Sequence, residues 1–370
     1  MTHYFICKPG QPPIAWFPPD PAQTIDANCA YFGKVFEVME QHLSIQGLTV
    51  YFTWDVNALP SYGANVVAVI QGDEWCRMPQ YAHRVRAVFK CYGTRPILGC
   101  DPLRHPSYLN ILTALQFFRI LLIRIPGVLH YWWHSLKRNS LKQVSPKQFS
   151  STSLSAIYDI PLGYYNQIDL PIQPIAHRPD DVFFAGSVIQ GDYPLWSLKR
   201  YMGTPKNLSR QQMLEQLQES AILHPDWKLK LRLTTDFNAS RDSDQSSYSE
   251  RMMNSKICLV PRGTSFETFR FFEALRYGCI VVTEALPDRW FYTDSPAIQI
   301  NNWNELETIL SNLLNHPDRL QSLHQASLNW WKDYCSETAV GQYMAQCLNQ
   351  TIEVKSTQSR SNPEYLRSSP

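Results

Sequence analysis

The stretch Ile257–Val282, ICLVPRGTSFETFRFFEALRYGCIVV, constrains the fold more than any other part of the chain. An apolar run, Ile257-Cys258-Leu259-Val260, stops at Pro261-Arg262-Gly263. A short polar turn leads into a helix pattern rich in phenylalanine, and a second apolar run, Cys279-Ile280-Val281-Val282, closes the unit. Continuous apolar runs joined by a helical crossover are what a parallel sheet requires, because its strands are covered on both faces. The unit leaves a puzzle: Glu267, Arg270 and Glu273 are charges in a segment that otherwise reads as buried.

The same alternation recurs on both sides of the middle of the chain. The spacing predicts a helix over 29–46 with Gly47 as a stop, strands at Leu48–Thr53 and Asn65–Ile70, a helix over 80–92, and a strand at Arg95–Gly99. A second series follows: a strand at Val182–Ala185 ending in Gly186-Ser187, a helix over 209–223, a strand at Lys228–Leu233, a short helix over 248–256, the unit above, and helices over 303–314 and 317–334. Pro171, Pro174 and Pro179, without periodicity, mark a linker between the two. A length of 370 residues is enough for two domains. The expected organisation is an α/β domain over 1–165, a linker over 166–178, a second α/β domain over 179–350 and a polar, disordered tail over 351–370. Two such doubly wound sheets would face each other across a cleft at the carboxyl ends of their strands.

Charge excludes one class of partner. The formal net charge is only +2, too small a field to hold nucleic acid. The 9 cysteines form no CxxC or Cys/His cluster, which fits reduced, buried thiols in a cytosolic protein and argues against structural zinc. The N-terminus has no basic region followed by a long apolar core, so no secretory signal is expected and the location is read as cytoplasmic.

Residues 109–137 are very apolar, yet Arg119, Arg124 and Pro126 interrupt them, so no stretch long enough to span a bilayer is expected. The favoured reading is a helix pair buried in the first domain. The alternative is peripheral membrane contact through Leu109 to Arg138, with arginines snorkelling and Trp132-Trp133 at the interface. Residues 139–152 read as a polar loop.

Pro261-Arg262-Gly263 falls at the carboxyl end of a strand and just before a helix N-terminus. Gly263 permits close backbone approach. Thr264 or Ser265 can cap the helix, whose free N–H groups attract anions. Arg262 and Arg270 can add charge-assisted bonds to phosphate oxygens. Glu273 can accept from the hydroxyls of a ribose. Together these suit a nucleoside diphosphate. Spacing alone does not separate this from helix-surface ion pairs, Glu267 with Arg270 and Glu273 with Arg270 or Arg276.

The segment SKICLVPRGTSFETFRFFEALRYGCIVV resembles the nucleotide-sugar half of exostosin-like glycosyltransferases, the family that includes heparan sulfate polymerases and plant wall arabinosyl- and xylosyltransferases. The matching positions are Ser255-Lys256, Cys258-Leu259, Pro261-Arg262-Gly263, Thr268, Arg270, Glu273-Ala274 and Gly278-Cys279. Arg178-Pro-Asp-Asp-Val-Phe-Phe-Ala-Gly186 resembles the family's upstream strand, and Val281 departs from a usual proline. The resemblance implies the two-domain GT-B fold: two Rossmann-like domains facing across a cleft. It implies inverting transfer with no required cofactor or metal. The co-substrate is a nucleotide sugar, with UDP as the expected nucleotide, and the acceptor is a saccharide or glycoconjugate. It places the donor against Gly186, Ser187, Arg262, Gly263, Thr264, Ser265, Arg270 and Glu273.

Inverting transfer needs a base on the opposite domain. Asp73 and Glu74 follow the clearest strand of the first half and are the candidates, with Asp55 and Asp101 as rivals. Asp242-Ser243-Asp244 spells the metal-binding motif of the GT-A fold, but in a polar loop, and is read as solvated. His83, Arg84, Arg86 and Lys90 are read as a solvated helix face, and Lys230 and Arg232 as edge-strand charges. Two alternatives stay open: a retaining transferase using Glu267 and Glu273, and a non-catalytic carbohydrate-binding or scaffold subunit of a polysaccharide-assembly complex.

Overall fold

The computed structural model describes residues 1–16, 29–144, 156–165, 168–188, 202–234 and 245–359. It is α/β, with two sheets built mostly by parallel pairing. The first contains β1 (His3–Cys7), β2 (Ile14–Ala15), β3 (Thr49–Thr53), β4 (Gly63–Ile70), β5 (Val85–Lys90) and β6 (Ala156–Asp159), in the order β2-β1-β3-β4-β5-β6. Within it β2 pairs antiparallel with β1, and the other pairs are parallel. The second contains β7 (Asp180–Ser187), β8 (Leu229–Thr234), β9 (Ser255–Val260), β10 (Ile280–Thr283) and β11 (Ile298–Gln299). Its order is β8-β7-β9-β10-β11, all parallel. The winding therefore reverses between β7 and β9. In open parallel sheets a crevice forms beyond the carboxyl ends at such a reversal.

The helices are α1 (Cys29–His42), α2 (Tyr108–Val144), α3 (Pro205–Leu223), α4 (Gln245–Met253), α5 (Phe269–Arg276), α6 (Leu306–Leu314), α7 (Pro317–Trp330) and α8 (Glu337–Ser359). Local chemistry sets several of their ends. Pro205 opens α3 and Thr204 caps it, accepting from the Asn207 N–H at 3.3 Å. After α5, Gly278 takes φ +68°, the left-handed conformation of a helix stop, and a Cβ there would collide with His324.

A single aromatic core joins the halves. Tyr31, Phe32, Phe36 and Phe52 from the first cluster with Phe271, Phe272, Tyr292 and Trp331 from the second. The Tyr31 hydroxyl donates to the Cys335 carbonyl at 2.7 Å. The last helix, α8, returns to the first half and lies on α1. There Asn349 accepts from the Ser44 N–H and donates to the His42 carbonyl, both at 2.9 Å.

Four expectations are corrected. Residues 85–90 are a strand, not part of a helix over 80–92, because Val85, Ala87, Val88 and Phe89 fill a place between β4 and β6. Lys90 is therefore not on a solvated face; it is fully buried against Asp73, 3.0 Å away. Arg95–Gly99 forms no strand. Helix α8 runs on to Ser359, nine residues into the polar tail. Finally, α2 is one helix that continues through Pro126, not a buried pair followed by a loop. Against expectation, its Tyr108–His134 stretch is long and apolar enough to cross a membrane by length and composition, and only 17% of its most apolar window is buried.

Candidate active site

An open pocket lies between the two halves. The first half contributes Glu74 after β4, Arg95 after β5, and Thr113 and Gln116 from α2. Facing them are Arg262, Thr264, Ser265, Phe266 and Glu267 after β9 and Arg289 after β10. The strand-borne residues all follow carboxyl ends, as a cleft between two parallel sheets requires.

Three arginines converge where the winding of the second sheet reverses. Arg270, in the first turn of α5, donates to the Ala185 carbonyl and stacks over Phe184 at 5.0 Å. Arg210, from α3, donates to the Ser187 carbonyl at 2.6 Å and to the Arg262 carbonyl at 3.3 Å. Arg262 stacks on Phe266 at 4.0 Å and donates to Thr113 Oγ1 at 2.9 Å and Gln116 Oε1 at 3.4 Å. Gly186 makes the approach possible, since a Cβ there would lie 2.9 Å from Arg270 Nη2. Burial and the neighbouring Arg270 push Arg210 down to about 9, and burial pushes Arg262 down to about 10. The Nε atoms of Arg262 and Arg270 are buried without hydrogen-bond partners. Buried guanidinium groups with unused donors are able to bind an anion.

Glu284 is bonded into this group. Its Oε2 accepts from the Arg262 N–H at 2.8 Å and the Ser209 hydroxyl at 2.6 Å. Burial raises its pKa, against the pull of Arg262. A Cβ on Gly263 would make only ordinary contacts, 3.6 Å from the Ser265 carbonyl oxygen and 3.7 Å from Thr268 Cγ2. Thr264 and Ser265 do not cap α5, which begins four residues beyond Ser265 with Thr268 at its N-cap. The Thr264 carbonyl accepts from Gln116 at 2.9 Å and the Ser265 hydroxyl from the Glu267 N–H at 3.4 Å, so both serve the cavity wall.

The opening puzzle resolves differently for each charge. Glu267 precedes α5 and forms a buried ion pair with Arg289. Arg289 also donates to the Tyr92 carbonyl at 2.5 Å, reaching across to the first half. Arg276 pairs with Asp169. Glu273 is buried, with Oε1 accepting from the Tyr165 N–H at 3.1 Å and Oε2 from the Tyr248 hydroxyl at 2.8 Å.

The candidate base pair splits. Asp73 is buried between Lys90, at 3.0 Å, and Arg77, at 2.8 Å, and accepts the Arg77 N–H as well. Both of its oxygens are taken by these donors. Glu74 instead lines the cavity. Asp55 and Asp101 cap turns: Asp55 accepts from the Asn57 N–H at 2.7 Å and Asp101 from the Leu103 N–H at 2.9 Å. Lys230 lies 3.8 Å from Asp180, and Arg232 donates to Ser247 at 3.5 Å. Asp242-Ser243-Asp244 lies outside the described residues. Among the described residues, no His/Cys/Asp/Glu cluster could hold a metal ion.

Sequence reasoning missed Arg210, Arg289 and Glu284. Each comes from an element with no motif of its own, and only the fold brings it to the end of β9. Two non-glycine residues near the cavity, Cys76 and Tyr92, have φ of 52° and 59°. Such strain concentrates at functional sites.

Residues 145–299 match the family model described as the Exostosin GT47 domain, which bears out the resemblance over this region. Exostosin-1 of Bos taurus is 35% identical over 95 residues, 24% of this chain and 12% of that protein. The Exostosin-1 homolog of Caenorhabditis elegans is 34% identical over 102 residues, 26% of this chain and 24% of its own length. The matched stretch thus spans at most about a quarter of these relatives. A crystal structure of a GtfA/B complex aligns with a TM-score of 0.41 at 11% identity, covering 87% of this chain and 61% of that one.

Proposed function

We propose that the chain is a glycosyltransferase that moves a sugar from a nucleoside-diphosphate donor to a hydroxyl of a saccharide or glycoconjugate acceptor. The observation that carries this reading is the convergence of Arg210, Arg262 and Arg270 at the reversal between β7 and β9. Fixed cations there would take up the charge that develops on a departing diphosphate. With these arginines in that role, the transfer needs no metal. Glu273 would bind the ribose of the donor, and UDP is the expected nucleotide.

Glu74 acts as the general base from the facing domain. It takes the proton of the acceptor hydroxyl as the oxygen bonds to the anomeric carbon. The bond from that carbon to the diphosphate oxygen breaks, and its electron pair leaves with the nucleotide. Attack from the side opposite the leaving group inverts the anomeric carbon. The enzyme works in the cytoplasm.

The test is a panel of UDP, GDP and CMP sugars, scored for thermal shift and for release of free nucleotide in excess EDTA. Acceptor-dependent release with inverted product by NMR supports the reading. Binding of no nucleotide sugar defeats it, and activity restored only by manganese defeats its metal-free form.

A further inference from the structure

We infer that α2 is a membrane-docking helix whose outward face lies on the surface of an anionic bilayer while its inward face walls the cavity. The inference starts from a juxtaposition. Ile111, Leu115, Phe118, Leu122, Ile125 and Leu129 recur every three or four residues along one side of α2. That side is uncovered, with Leu122 66% and Leu129 63% exposed, and Trp132 continues it at 62%. Six large apolar side chains in a continuous stripe exceed the scattered exposure of an ordinary surface.

The opposite side is fastened to the protein along its length. Thr113 holds Arg262, and Gln116 donates to the Thr264 carbonyl. Gly127 backs onto Met78, where a Cβ would lie 3.3 Å from the carbonyl oxygen. Farther on, the His83 ring stacks on His134 at 4.1 Å. A helix so fastened cannot cross a bilayer without leaving these contacts. It can lie in the interface, as half-apolar helices do.

Charge decides what covers the stripe. From Pro102 to Tyr158 the sequence contains no Asp or Glu, in a chain that has 32 of them. The same span contains Arg104, Arg119, Lys137, Arg138, Lys142 and Lys147, while Arg124 turns inward with its Nε buried. The spacing of the stripe would also suit a coiled coil with a second copy. Such a pair sets cation against cation and offers no acid to answer them. Anionic lipid headgroups complement the cations, and the adjacent Trp132 and Trp133 are the residues favoured at a membrane interface.

The test uses the full chain in a vesicle-sedimentation assay, with phosphatidylcholine alone or mixed with phosphatidylglycerol. The wild type is expected to sediment with the anionic vesicles and to be released by high salt. Leu122→Glu with Leu129→Glu should weaken that binding by roughly a hundredfold, from the apolar burial lost. Both positions are exposed, so the circular dichroism and melting point should not change. Should the double variant misfold, Leu115→Ser with Leu122→Ser serves instead. Equal binding by wild type and variant, or equal binding to neutral vesicles, overturns the inference. So does a wild-type dimer in light scattering that the variant turns into a monomer, which would identify a second copy as the occupant. Extraction by detergent alone would identify a spanning helix and overturn it too. Vesicle binding is read without any sugar transfer, so its failure leaves the proposed activity untouched.

Discussion

Arg262 of the second half and Thr113 of the first meet across the cavity, with the guanidinium Nη1 2.9 Å from the threonine hydroxyl. The arginine proposed to hold a donor phosphate is thus set partly by the other half. Thr113→Val should remove a charged hydrogen bond worth about 1.5–3 kcal/mol. The urea midpoint should fall, and UDP should bind more weakly. A midpoint and a UDP affinity both equal to wild type would show that the contact positions nothing.

Among the described residues no carboxylate is bonded to Arg210 directly, and it donates to two carbonyls. Arg210→Ala should weaken UDP binding by roughly tenfold or more, from about 1.5–3 kcal/mol of charge-assisted bonding. Uridine binding should stay unchanged. Calorimetric titration of both ligands checks this, and an equal loss for both would move Arg210 away from the phosphates.

The two neighbouring carboxylates should behave in opposite ways. Asp73→Asn leaves Lys90 buried without its counter-charge, which costs about 3–5 kcal/mol, and should lower the melting point sharply. Glu74→Gln should melt like the wild type but lose acceptor-dependent turnover by about a hundredfold or more, the usual contribution of a general base. Normal turnover by Glu74→Gln would remove it from the mechanism.

Glu273→Ala should destabilise the protein, because the Tyr248 hydroxyl and the Tyr165 N–H each lose a buried acceptor, at about 1–3 kcal/mol apiece. Tyr248→Phe should cost less than Glu273→Ala. Denaturant unfolding of the two variants gives the comparison. If Glu273→Ala is as stable as the wild type, neither contact holds the fold.

Acid should loosen the seat of α2. Burial, with His134, His130 and Arg84 close by, pushes His83 down to about 4 from its ordinary 6.5. Between those values the unfolded chain holds a proton that the folded chain does not, so stability falls as pH drops from 6.5 towards 4. His83 is only half-buried, so solvent screening trims the effect. The stability gap between wild type and His83→Gln should shift across that window and stay flat above about pH 7. A gap that is constant from pH 4 to 7 would show that His83 titrates normally.

Much of the second half was legible because its chemistry is local. Ser255–Val260, Gly278 and the Arg262–Arg270 spacing follow from runs of neighbouring residues. The region 80–92 was misread because buried Lys90 and half-exposed Arg86 imitate a polar helix face. Only pairing between β4 and β6, and Asp73 beside Lys90, make it a strand. Glu267 could not be paired with Arg289 from spacing, since α5 and β10 lie between them and only the fold brings the two together. Arg210 sits on a helix of weak apolar pattern and carries no motif. Its meaning depends on where α3 is laid over the second sheet.

The return of α8 onto α1 bears on how the protein is made. On the ribosome, α1 is complete long before its covering helix is translated. Until α8 arrives, the backbone of Val35 and the side chain of Val38, which Gly341 packs against, have no cover. The first half therefore cannot close its core as it emerges, and the nascent chain carries an exposed apolar face through most of its synthesis. That face is where a chaperone would bind, and where truncated chains would aggregate.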